Sequence, residues 1–173
     1  SAPGAGSTFT LTIPRTHPEV REMAGLAARS AQIQPGRAPI LVVEDDRQTL
    51  LLYEKYLQNS GYQIVPARSV DEARDVLQRL KPAAVVLDIM LEGETSWKLL
   101  AEIKSHAETR DLPVIVVTVT NREQKARALG ADEFVIKPLD QKWLSRKLAA
   151  LARRRGPISR ILVIDDDEVA RYM

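Results

Sequence analysis

The chain has no cysteine, only two histidines, and aromatic residues at just 5% of its 173 positions. Without cysteine it can form neither disulfides nor thiolate metal sites, which suits a reducing, cytoplasmic setting. With few aromatics and 45% hydrophobic residues, one full core built from aliphatic side chains is expected. No apolar run approaches the roughly 20 residues that span a bilayer, and no secretory leader is legible. A formal charge of +2 is too small to argue for nucleic acid. The run Arg153, Arg154, Arg155 reads as the end of a helix, where cations favour the dipole, ahead of a basic patch. Neither nucleic-acid nor membrane contact is expected of this piece.

What is present is a regular alternation from Ala38 onward. Residues 40–44, 62–66, 84–88, 114–118 and 133–136 read as short buried strands rich in Val, Ile and Leu. Residues 47–59, 69–80, 96–106, 121–129 and 141–153 read as helices, several of them closed by Gly61, Pro82 or Gly130. Ser69 and Glu72 have capping-box spacing at the start of the second. The alternation argues for an α/β fold, with a parallel sheet covered by helices on both faces through right-handed crossovers.

The flanks differ. SAPGAGSTFTLTIPRT combines a Gly/Ser turn with a strand-like alternation, residues 20–31 form a weakly apolar helical stretch, and QPGRAP marks a boundary. Gly4 and Gly6 are no phosphate loop, because no helix and no Lys-Ser/Thr pair follow. The tail RILVIDDDEVARYM repeats PILVVEDDRQTLLLY in its apolar run, acidic cluster and helix start, as a second copy would. The alternative is that any buried strand before an acidic helix start looks this way. Both ends are expected to be cut.

The chemistry lies at strand carboxyl ends. Glu44 and Asp45 close the first strand, Asp88 the third, and Lys137 follows the fifth, just before Pro138. In an open α/β sheet that edge holds the ligand crevice. If the three acids converge, each close pair repels by about 4 kcal/mol at an effective dielectric of about 20, so the cluster needs cations. Lys137 supplies one positive charge and a divalent metal two. Oxygen-only ligands favour a hard ion, and few protein ligands favour Mg²⁺ over Ca²⁺. Taken singly, each acid reads equally well as a helix cap and Lys137 as a solvated lysine; their joint placement favours a site. A carboxylate beside Mg²⁺ can attack phosphorus to give an acyl phosphate. Asp88 is the expected nucleophile and the Glu44, Asp45 pair the ion holder. Thr118, ending the fourth strand, either hydrogen-bonds a phosphoryl oxygen or caps the strand end.

At ILVVEDD, VVLDIM, PVIVVT and FVIKP, in that order over residues 38–155, the chain resembles the receiver domain of two-component response regulators. The resemblance implies a flavodoxin-like, doubly wound, five-stranded parallel sheet of order 2-1-3-4-5. It implies that Asp88 accepts phosphate from a histidine kinase or histidine phosphotransfer domain in a phosphorelay. Glu44 and Asp45 then match the metal-binding pair, with the Met90 backbone carbonyl completing the shell and Asp46 extending it. Thr118 and Lys137 match the switch hydroxyl and phosphate-binding lysine. Phe134 matches the switch aromatic or is plain core. A downstream protein would read the face of helix four, strand five and helix five. A receiver is a phosphoacceptor rather than a turnover enzyme.

Two departures stand out. LEGETSW, with Glu92, Thr95 and Ser96, replaces the Pro and Asp-Gly common after the phosphorylated aspartate, and Val119 replaces a small residue after the switch threonine. The first 16 residues resemble the closing segment of a histidine-kinase ATP-binding domain. The implied organisation is a kinase tail at 1–16, a linker at 17–37, a receiver at 38–155 and a truncated second receiver at 156–173, as in a hybrid sensor histidine kinase. His17 and His106 read as linker and helix surface. Two other readings remain: a pseudo-receiver serving only for docking, and a Mg²⁺-dependent aspartyl-phosphate hydrolase, disfavoured because position 90 is Met rather than a second acid.

Overall fold

The computed structural model describes Thr10 and residues 18–154. The kinase-tail, His17 and second-receiver expectations, including the acids Asp165 and Asp166, lie outside the described residues. Helix α1 (Pro18–Ser30) precedes β1 (Ala38–Val43), α2 (Arg47–Leu57), β2 (Tyr62–Ala67), α3 (Val70–Arg79) and β3 (Ala84–Asp88). A hairpin of β4 (Met90–Leu91) and β5 (Glu94–Thr95) follows, then α4 (Trp97–Ser105), β6 (Val114–Thr118), α5 (Glu123–Ala128), β7 (Glu133–Ile136) and α6 (Gln141–Arg154).

The main sheet has the order β2-β1-β3-β6-β7 and is parallel throughout. Counting only its five strands, this is the expected 2-1-3-4-5 arrangement. Because successive strand side chains alternate faces, each apolar run serves two cores. Leu41, Val43, Val85, Leu87, Val114 and Val116 face one core, closed by Val70, Ala73 and Val76 of α3, Leu99, Leu100 and Ile103 of α4, and Ala126 of α5. Ile40, Val42, Val86, Ile115 and Val117 face the other, closed by Leu26 of α1, Leu50, Tyr53 and Leu57 of α2, and Leu144, Leu148 and Leu151 of α6. Strand order reverses between β1 and β3, so a crevice opens at their carboxyl ends.

Three boundaries differ from the sequence reading. The helix expected over 121–129 is shorter, Glu123–Ala128, with no side-chain cap at Arg122. The stretch after Asp88, expected as a loop, contains a hairpin whose two-residue turn needs Gly93, at φ +79. The helix expected over 20–31 within the 17–37 linker runs as α1 (Pro18–Ser30) and packs onto the domain, burying Leu26 and held by a forked Arg29–Glu54 ion pair at 2.7 and 2.8 Å. On the edge strand, the buried Gln63 side chain donates to the carbonyls of Arg29 and Gln32 and accepts from the Gln34 amide, which seals that edge with the chain after α1.

Candidate functional site

Four strand ends build the site. Glu44 follows the last residue of β1, Asp88 ends β3, Thr118 ends β6, and Lys137 follows β7. Parallel register sets Asp88 opposite Val117 and Thr118 opposite Ile136, so residues far apart in sequence reach one level of the sheet. Carboxylate oxygens of Glu44, Asp45 and Asp88 lie within 4.8 Å of one another. The Lys137 ammonium bridges two of them, donating to Glu44 Oε2 and to Asp88 Oδ2 at 2.6 Å each. Its backbone amide is fixed by the Thr118 carbonyl at 2.9 Å.

The electrostatics are those of a partly desolvated cluster. Burial pushes the Glu44 carboxyl above its ordinary range, and the Lys137 contact only partly offsets that rise. Burial works against the Lys137 ammonium, yet its two carboxylate partners outweigh it and hold the amine above its ordinary value. Tyr53, buried beneath, is pushed up by burial first and then by the negative charge of Glu44 and Asp88. Three carboxylates against one ammonium leave the pocket net negative.

The hairpin side of the pocket is densely bonded. The Met90 amide donates to Asp88 Oδ1 at 2.9 Å and the Glu92 amide to Asp45 Oδ2 at 3.1 Å. Ser96, fully buried, donates its hydroxyl to the Asp88 carbonyl. Arg68 forks onto the Asp45 carbonyl through Nε and Nη2, both at 3.2 Å. Glu94 Oε1 accepts from the Val70 amide at 3.0 Å, in the first turn of α3. The opposite side is bare: the Thr118 hydroxyl is buried without a hydrogen-bond partner, and Val119 beyond it is 64% exposed.

The sequence-derived residues therefore divide. Glu44, Asp45, Asp88 and Lys137 come together, and Thr118 sits on the neighbouring strand one residue beyond the partner of Asp88. Met90 lies beside Asp88 through its amide. Asp46 does not join the acid trio: it is the N-cap of α2, accepting from the Thr49 amide and hydroxyl at 2.7 Å each. The Thr49 hydroxyl accordingly holds the Asp46 carboxyl below its usual range. Phe134 is half-buried on β7, packed against the core beneath α3, α4 and α5. Arg68, Glu94 and the Ser96–Asp88 bond were not anticipated. Ser96 reads in sequence as a helix start, and its position as N-cap of α4 agrees, but its hydroxyl makes no cap bond. Arg68 and Glu94 carry no local signal, being two charged residues in polar stretches.

Comparison with known proteins places this geometry. The family model for the response regulator receiver domain matches residues 40–149. The phosphate regulon transcriptional regulatory protein PhoB of Escherichia coli is 33% identical over 123 residues, spanning 69% of this chain and 54% of that protein. The chain thus spans about half the length of the curated relatives it matches. Among solved structures, a two-component response regulator from Clostridium difficile superposes with a TM-score of 0.63 at 26% identity, covering 70% of this chain and 100% of that one. The receiver domain of sensor histidine kinase PA1611 from Pseudomonas aeruginosa, solved with a magnesium ion coordinated in its active site cleft, shares the fold at 22% identity and TM-score 0.62, covering 68% of this chain and 98% of that one. Family match, sheet order and sequence identity converge on one conclusion: this chain belongs to the response regulator receiver domain family of two-component signalling.

Proposed function

We propose that the pocket accepts a phosphoryl group on Asp88 in a Mg²⁺-dependent phosphorelay step and thereby switches a protein-binding face. The observation that carries this reading is the Lys137 ammonium seated between Asp88 and Glu44 inside a trio of carboxylates. The donor set fits a hard divalent cation, being oxygen-only and net negative. Glu44, Asp45 and Asp88 would hold it, with the Met90 carbonyl as a further ligand. Magnesium, when bound, supplies neutralising charge to the transferring phosphoryl oxygens.

Asp88 acts as nucleophile. A carboxylate oxygen forms a bond to phosphorus, the phosphorus–nitrogen bond of a phosphohistidine donor breaks, and the imidazole leaves with the electron pair and takes up a proton. Lys137 remains as the cation facing the new group, whose charge is near −2. The unpaired Thr118 hydroxyl gains a phosphoryl oxygen as acceptor, which removes the penalty of a buried polar atom. That gain exists only in the phosphorylated state, so it biases a two-state equilibrium. Phe134 moves inward as Thr118 moves toward the phosphoryl group. The surface formed by α5, β7 and α6, the face of helix four, strand five and helix five in the sequence reading, changes shape for a downstream partner. The donor is a histidine kinase or histidine phosphotransfer domain, and the whole chain's setting is a cytoplasmic hybrid sensor histidine kinase.

Incubation with Mg²⁺ and a small acyl-phosphate donor should add one phosphoryl group to the chain by intact mass, and Asp88→Asn should prevent it. An unmodified wild type would sink this reading in favour of a docking pseudo-receiver.

A further inference from the structure

The hairpin after Asp88 is tied on either side of its turn to two different parts of the molecule. One tie is the Glu92 amide, which donates to Asp45 Oδ2. The other is the Glu94 carboxylate, which accepts from the Val70 amide at the start of α3. Between them lies Gly93, the positive-φ residue of the two-residue turn, so the two ties flank one turn. The circuit closes through Arg68, two residues before Val70, whose guanidinium forks onto the Asp45 carbonyl. Arg68 is itself anchored, because its backbone amide donates to Glu72 Oε2 at 2.7 Å, one turn into α3. Asp45 is thus gripped twice, at its backbone carbonyl by the Arg68 guanidinium and at its carboxylate by the Glu92 amide, and both grips trace back to the first turn of α3.

We propose that Glu94 is a positioning residue for the cation pocket: by pinning the β4–β5 hairpin to α3, it holds the Glu92 amide where it orients the Asp45 carboxylate. The proposal rests on the cation reading of the acid trio. Asp45 is the only one of the three acids that receives no Lys137 contact among the bonds described, so its rotamer depends on the hairpin. An aspartate already oriented gives up less rotamer freedom on meeting an ion, and affinity rises accordingly. Linkage makes the effect reciprocal: if the clasp favours the cation, the cation favours the clasp.

The test uses the full chain with Mg²⁺ alone, titrated calorimetrically, together with amide hydrogen exchange at Glu92 and Val70. Glu94 is exposed, so replacing it leaves the core intact; slow exchange at Val85 and Val86 checks this in each variant. Glu94→Ala should weaken Mg²⁺ binding by about fivefold, the worth of one hydrogen bond, and speed exchange at Glu92 with or without the ion. Glu94→Gln, which keeps the acceptor and loses the charge, should restore both values. Mg²⁺ should slow exchange at Glu92 and Val70 in the wild type. Equal loss in the Gln and Ala variants would assign Glu94 to bulk charge and overturn the proposal, as would an Ala variant that binds like wild type. A wild type that binds no Mg²⁺ overturns the cation reading instead; the ion-free exchange at Glu92 then decides the clasp, which fails if Glu94→Ala leaves it unchanged.

Discussion

Two connections leave the sheet beside the acid pocket, and they are built in opposite ways. After β3 the chain forms a hairpin bonded to both carboxylates beside it, to the Asp88 carbonyl and to α3. After β6 the chain leaves Thr118 with a buried unpaired hydroxyl and sets Val119 into solvent. The first side is satisfied by the protein's own groups; the second leaves a buried hydroxyl without a partner. Such asymmetry is what a switch requires, because a group satisfied in both states cannot favour either. Helix packing extends the contrast. Arg74 of α3 forks onto Glu102 of α4 at 3.0 Å on the hairpin side, whereas Lys125 of α5 reaches α4 by lying over the Trp97 ring, 4.4 Å from its centroid.

Lys137 joins the two sides, and removing it should have the largest effect. Lys137→Met leaves the buried Glu44 and Asp88 carboxylates facing each other without a cation, a loss of about 3 kcal/mol in urea unfolding with EDTA present. Mg²⁺ should return more stability to this variant than to wild type, since only the folded pocket binds the ion. A loss under about 0.5 kcal/mol would mean that water screens the pocket as it does a surface pair.

On the bare side, Thr118→Val keeps the volume and deletes the orphan hydroxyl. The unphosphorylated protein should gain about 1 kcal/mol, while phosphorylation no longer alters the α5, β7, α6 face as read by amide exchange. A destabilised variant would show that the hydroxyl is already satisfied.

A matched pair sharpens the comparison of the connections themselves. Gly93→Ala meets no neighbouring atom but forces an alanine into φ +79, at a cost of about 1 kcal/mol. Val119→Ala, at an exposed site on the other connection, should change urea stability by less than about 0.5 kcal/mol.

The smallest effect concerns pH. The Arg74 guanidinium holds the Glu102 carboxyl below its ordinary value of 4.5, with slight burial opposing. A depressed folded pKa contributes stability that is present above the unfolded value and lost as pH falls through the folded one. Glu102→Gln should therefore lower stability at neutral pH by about 0.5 kcal/mol, the discounted worth of a partly exposed pair, and converge on wild type as pH falls well below 4.5, as urea unfolding across pH would show.

Much of this was legible in sequence because it is local. Val, Ile and Leu runs of four or five residues, each followed by helix-period stretches, specify buried parallel strands, and the charged residues closing them mark the strand ends. The Asp46 case shows the limit of such reading. Three consecutive acids look alike on paper, yet Glu44 and Asp45 turn to the pocket while Asp46 bonds Thr49 and starts α2. The placement of α1 shows it again, since a weakly apolar helix declares neither its partner nor the role of Gln63 in holding the chain after it.

The sequence by itself determined the alternation of elements, the receiver family and the residues at four strand ends, because periodicity and strand-end charge are properties of neighbours along the chain. Only the tertiary structure decided that Lys137 bridges Glu44 and Asp88, that Arg68 reaches the Asp45 carbonyl while Glu94 reaches α3, and that the Thr118 hydroxyl is left without a partner. Each of these depends on distances between elements tens of residues apart, which parallel pairing and helix packing set and no local pattern records.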